Sequence, residues 1–168
     1  MDNTVLTSLT EGAVGPDLEK ALTGIPGLDQ ITGGGLPQGR VTLVAGGAGS
    51  GKTLLGLSFL VAGASQYGEA GVLMTFEESA AKVAINVRSL GFDLDELQRT
   101  GLLAVLAFRV DPSEMVAAGE FDFEPLFAIL DDAIRRVGAR RVVLDTIEVL
   151  FGAFGDDTIV RSELSRLV

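Results

Sequence analysis

Residues 41–53 read VTLVAGGAGSGKT. Val41, Thr42, Leu43, Val44 and Ala45 form an unbroken apolar, β-rich run, the pattern of a parallel strand covered on both faces. Residues 46–53 then fit G-x-x-x-x-G-K-[ST], and a helical run from Lys52 to about Gln66 follows, carrying Leu54, Leu55, Leu57, Phe59, Leu60 and Val61. Strand, glycine loop and helix in that order are the context this motif requires. The glycines let the backbone curl so that successive N–H groups point at phosphate oxygens, at the positive end of the helix. The candidate phosphate-binding set is therefore Gly47, Ala48, Gly49, Ser50, Gly51, Lys52, Thr53 and Leu54. Lys52 would reach the β- and γ-phosphates, and Thr53 would give its hydroxyl to Mg²⁺. A glycine-rich turn could match by chance, but the chain has only Lys20, Lys52 and Lys82, and one of the three stands at the motif position.

Outward from the loop, a second apolar run over 72–76 ends in Glu77 and Glu78, and Ser79 reads as the N-cap of a helix through Val83, Val87 and Leu90 closed by Gly91. Residues 93–99 predict a short helix, 102–108 a third strand, and 109–122 a loop without period. Asp122 can cap an amphipathic helix whose apolar face is Phe123, Leu126, Phe127, Leu130, Ile134 and Val137. Gly138 ends it, and Val142, Val143 and Leu144 form a fourth strand that delivers Asp145 to its carboxyl end. Residues 21–39, with two prolines and Gly33-Gly34-Gly35, read as a tight connector. Strands alternating with helices predict an α/β fold with a doubly wound, mostly parallel sheet flanked by helices. Residues 1–20 are polar and aperiodic, a loosely ordered leader.

Mg²⁺ held by a loop threonine and phosphate oxygens also needs a carboxylate at the end of a neighbouring buried strand, and Asp145 is the candidate. Glu77 or Glu78 could orient or deprotonate an attacking water; successive strand residues face opposite ways, so the two cannot act alike. An acidic pair at the start of the following helix would also be favourable without catalysis. Glu148 reads as a solvated residue near the site, and Phe151 and Phe154 as core or interface anchors.

Composition narrows the chemistry. The 168 residues are 47% hydrophobic, enough for one folded domain. With 13 basic against 23 acidic residues the net charge is −10, which disfavours a nucleic-acid binder. The cluster Arg135, Arg136, Arg140 and Arg141 is mostly explained by pairing with a helix C-terminal dipole. The chain has no His and no Cys, so zinc hydrolases, Ser-His-Asp triads and disulfides are excluded. Residues 1–15 lack the basic and apolar stretches of a secretory leader and no apolar run reaches membrane length, so a cytoplasmic location is expected.

Four stretches carry a family resemblance: TGIPGLDQITGGGLPQGRVTLVAGGAGSGKTLL (23–55), GVLMTFEES (71–79), FDLDELQ (92–98) and ARRVVLDTIEVLF (139–151). Together they resemble the KaiC branch of the RecA-like P-loop ATPases, over about residues 22–168, and are most similar to the first ATPase domain of KaiC-type clock proteins. The resemblance implies a hexameric ring with ATP between subunits, slow hydrolysis, and clock-type protein partners. It assigns Lys52 and Thr53 to phosphate and Mg²⁺, Glu77 and Glu78 to the catalytic glutamate pair, and Asp145 to the Walker B aspartate. Autokinase activity would belong to a second domain. The resemblance also implies a domain cut short after the Walker B strand, with an empty place in the sheet between that strand and residues 41–45. Two other functions compete: a nucleotide-gated assembly module with little turnover, and a recombinase-like DNA-dependent ATPase, against which the negative charge speaks.

Overall fold

The computed structural model describes residues 18–108, 124–147 and 149. The expected leader up to residue 17, the loop over 109–122 with the Asp122 cap, and Phe123, Glu148, Phe151 and Phe154 lie outside the described residues. The first elements are small: β1 (Lys20–Ala21) and β2 (Leu36–Pro37) pair antiparallel on either side of α1 (Pro26–Ile31). Then come α2 (Lys52–Gln66), β3 (Gly71–Thr75), α3 (Ala80–Arg88), α4 (Leu94–Arg99), β4 (Leu103–Ala107), α5 (Glu124–Val137) and β5 (Arg141–Asp145).

β3 is central in a parallel sheet of order β4-β3-β5. Its residues are buried throughout, as a strand with ladders on both edges and helices on both faces requires. Side chains alternate between two cores. Val72 and Met74 join Phe76, Ala104, Leu130 and Ala133 on the α5 side. Leu73 joins Leu57, Leu60, Val83, Val87, Leu94 and Leu103 on the side of α2, α3 and α4. The result is an α/β/α arrangement in which α2, α3 and α5 bury apolar side chains against the sheet. Local signals set the boundaries: Ser79 Oγ accepts from Lys82 N–H at 3.4 Å at the start of α3, and Asp93 Oδ1 accepts from Glu96 N–H at 3.0 Å at the start of α4.

The helix α2 lies close on β5, and its glycines permit this. A Cβ at Gly56 would meet Val143 Cγ1 at 2.8 Å, and one at Gly63 would meet Arg141 Cδ at 2.4 Å. The two glycines are seven residues apart and so share one helix face. Their contacts also fix direction: α2 runs toward its C-terminus as β5 is followed back toward its start. The amino end of α2 therefore lies over the carboxyl end of β5.

Residues 41–45 correct the sequence reading, which made them a buried strand. They join no strand, and Val41 and Leu43 are 60% and 65% exposed. A strand is stable when its N–H and C=O groups find a ladder. β5 gives one edge to β3, and no described residue pairs with its other edge. Without a neighbour to pair with, the apolar run forms no strand and stays exposed to solvent. The arginine cluster needs correcting too. Arg135 pairs with Asp131 and Arg136 with Asp132 on the surface of α5, but Arg141 belongs to a strand, not a helix end.

Candidate functional site

The loop 46–51 is shaped by glycine conformation. Gly49 and Gly51 have φ of +76° and +91°, in the left-handed region that a side chain would strain. Gly51 is the N-cap of α2, and no side chain caps the helix. The first turn of any helix has N–H groups without an intrahelical acceptor, and such groups are the ones that bind anions at helix amino ends. No acidic side chain occupies that turn. Lys52 Nζ folds back along the loop and donates to the carbonyls of Gly46 at 2.7 Å and Gly47 at 3.3 Å. Ser50 N–H donates to Gly47 O at 3.2 Å, closing the turn.

The carboxylates lie at the carboxyl end of the sheet. Asp145, the last residue of β5, is half-buried and stands in register with Thr75, the last residue of β3. Phe76 N–H donates to Asp145 O at 3.0 Å, extending the ladder one step further, and the Asp145–Thr146 peptide is cis. Glu77 and Glu78 follow at once and part company, Glu77 exposed and Glu78 half-buried with its carboxylate beside Asn86 of α3. Thr53, in the first turn of α2, is on the same end of the sheet as Asp145, because α2 runs antiparallel to β5 with Gly56 over Val143. Leu54 is exposed in that turn. Ligand crevices in open α/β sheets form outside the carboxyl ends of the strands, which is where these groups gather.

Among the described residues no group of three or more His, Cys, Asp or Glu side chains could hold a metal by itself. The Thr53 hydroxyl and the Asp145 carboxylate are oxygen donors carried at the same end of the sheet. The helix half of the motif's expected context is present, and the strand half is not, since residues 41–45 lead into the loop without sheet pairing.

At the opposite end of the sheet lies a residue that sequence reasoning misassigned. The Arg141 side chain is 2% exposed and pairs with Glu69, its Nε donating to Oε2 at 2.7 Å. Its Nη1 donates to the Phe59 carbonyl at 2.8 Å, and its guanidinium lies 4.4 Å and 5.1 Å from the ring centres of Phe59 and Tyr67. This clamp ties the C-terminal half of α2 to β5 and so holds the helix that carries the loop. The available signal was its place, immediately before Val142, Val143 and Leu144. Asp29 is held nearby. Burial opposes its ionisation, but hydrogen bonds from Thr23 Oγ1–H, Thr23 N–H and Gly24 N–H, with the Arg141 charge, outweigh it and keep its carboxyl below the usual range.

No helix among the described residues is long and apolar enough to cross a membrane. The profile of the ATPase family KaiC matches residues 21–168. Relatives include the circadian clock protein KaiC2 of Synechocystis sp., 50% identical over 159 residues, covering 95% of this chain and 28% of the relative. The circadian clock oscillator protein KaiC of Picosynechococcus sp. is 40% identical over 162 residues, covering 96% of this chain and 31% of the relative. That of Synechococcus elongatus is 39% identical over 168 residues, covering 100% of this chain and 32% of the relative. The chain spans less than a third of the length of each of these relatives. With the family profile running across the glycine loop, the glutamate pair and Asp145, the chain belongs to the KaiC family of ATPases, whose chemistry implies nucleotide binding.

Proposed function

We propose that the chain binds ATP with Mg²⁺ on the loop 46–53 and takes part in its slow hydrolysis, water attacking the γ-phosphate. The observation that carries this reading is the uncapped amino end of α2, entered through left-handed glycines and lying over the same end of the sheet as Asp145. In it, N–H groups of the loop and first turn, between Gly47 and Leu54, hold phosphate oxygens, while Ser50 N–H closes the turn on Gly47 O. Lys52 leaves the carbonyls of Gly46 and Gly47 to neutralise the β- and γ-phosphates. Thr53 and Asp145 would hold the Mg²⁺, which supplies charge neutralisation on the phosphates. Glu77, exposed just beyond the carboxyl end of β3, orients the water and takes its proton, and Glu78 supports it from the α3 side.

Residues 21–168 act in this reading as the amino-terminal part of a KaiC-type ATPase domain, in a cytoplasmic homo-oligomer, with a hexameric ring the form expected of the whole protein. The relatives' names attach them to circadian clocks, and a clock role with clock-type protein partners is proposed here on that likeness alone. A role on DNA is not proposed, because a net charge of −10 opposes binding to phosphate backbones. Calorimetric titration with Mg-ATP tests the phosphate site. Lys52→Ala should weaken binding by more than about tenfold, the loss expected for charge-assisted hydrogen bonds. Glu77→Gln should keep binding and slow turnover by roughly a hundredfold. Equal affinity in Lys52→Ala and the parent would overturn the site; undiminished turnover in Glu77→Gln would overturn the part given to Glu77, and binding with negligible turnover in the parent would leave a nucleotide-gated assembly module.

A further inference from the structure

Glu77 and Glu78 are adjacent in the chain but differently held. Glu77 makes no hydrogen bond among the described residues and is exposed. Glu78 is half-buried, and its N–H donates to Thr75 Oγ1 at 3.4 Å. Its carboxylate turns toward α3, where Asn86 Nδ2 lies 3.4 Å from Oε1 and 3.3 Å from Oε2. The amide is thus centred on the carboxylate rather than aimed at one oxygen. Asn86 has no part in the core: Val83, Ala84 and Val87 form the buried face of α3, and Asn86 is on its exposed side. Asparagine is also a mediocre helix former, so neither packing nor propensity accounts for it in the interior of this helix.

We propose that Asn86 is a positioning residue for Glu78, holding that carboxylate against α3 so that the two glutamates take different parts. This rests on the reading of Glu77 and Glu78 as the hydrolytic pair. A neutral amide suits the task. It donates to the carboxylate without adding a charge beside Glu77, and being borne on a packed helix it fixes where the carboxylate can go. With Glu78 restrained, its charge stays beside Glu77 and off the line along which water approaches phosphate.

The test has two arms on the full chain. In ¹⁵N-labelled protein, the side-chain amide signals of Asn86 should move as carboxylates titrate between about pH 3 and 6, and that movement should vanish in Glu78→Gln. Signals that do not move, or that move equally in Glu78→Gln, overturn the proposal. With Mg-ATP, Asn86→Ala should lower kcat roughly tenfold while KM stays within about twofold. In a Glu78→Gln background it should cost nothing further. Losses that multiply overturn the positioning role. If the amide signals move as expected but Glu77→Gln and Glu78→Gln both turn over like the parent, the contact stands while the hydrolytic reading, and the role built on it, falls.

Discussion

Residues 41–45 and the strand β3 are both five-residue β-rich runs, yet one is exposed to solvent and the other is buried along its whole length. Hydrophobicity does not separate them, for Val-Thr-Leu-Val-Ala is no more polar than Gly-Val-Leu-Met-Thr. The difference is partners. β3 has a parallel neighbour on each edge, α5 over one face and α2 with α3 over the other, so each of its residues gains both a ladder and a core. Residues 41–45 have neither. Apolar side chains make burial favourable, but the backbone decides whether a strand exists, because unpaired peptide groups cannot be taken out of water cheaply. The candidate site spans this contrast: Asp145, Glu77 and Glu78 hang from the buried sheet, and the loop 46–51 leads in from the exposed segment.

The contrast can be broken from the buried side first. Arg141→Met should have the largest effect, about 3 kcal/mol in urea unfolding, because it leaves Glu69 without its cation and the Phe59 carbonyl without its donor. A loss below about 1 kcal/mol would mean that the clamp contributes little to holding α2 on β5. Gly56→Ala comes next, at about 1–2 kcal/mol, since the added methyl meets Val143 at 2.8 Å. Val143→Ala in the same chain should recover part of that loss, and additive losses would show that α2 does not pack as closely as described.

Asp29→Asn should give a smaller loss with a distinctive pH dependence. The folded-state pKa of Asp29 is lowered, so its contribution is present above about pH 4 and disappears as pH falls through the folded value. The melting temperatures of variant and parent should differ at pH 7 and converge in acid; a difference that persists unchanged in acid would contradict the hydrogen-bonded carboxylate. The smallest effect is expected at Leu43→Ser, within about 0.5 kcal/mol of the parent, as for other exposed positions. A loss of about 2 kcal/mol there would show residues 41–45 buried and dissolve the comparison.

Where the chain could be read in advance, local and global signals agreed. The run ending in Glu77 and Glu78, the Ser79 cap, the helix from Lys52 to Gln66 and the delivery of Asp145 by Val142-Val143-Leu144 all follow from periodicity and capping, and each element is present. The amino acids of the glycine loop were legible for the same reason, since left-handed turns at Gly49 and Gly51 need glycine. Residues 41–45 were misread because periodicity registers a strand's face and carries nothing about its edge. Arg141 was misread because four arginines in seven residues look like one cluster, although two are on a helix and one is inside a strand. Asn86 left no mark, for its contact with Glu78 spans eight positions and depends on how the chain turns at the end of β3.

The outer edge of β5 has a consequence for the molecule in concentrated solution. Among the described residues that edge pairs with no strand; an unpaired edge is a template for any extended chain, and Val142 on this strand is 39% exposed. What keeps copies apart is their shared negative charge of −10. That repulsion reaches about 10 Å at 0.1 M salt and about 3 Å at 1 M, so salt withdraws it long before it weakens a hydrogen-bonded ladder. Colloidal stability is thus borrowed from electrostatics, and this protein should precipitate or form fibrils as ionic strength rises, along the outer edges of β4 and β5, which pair with no strand among the described residues.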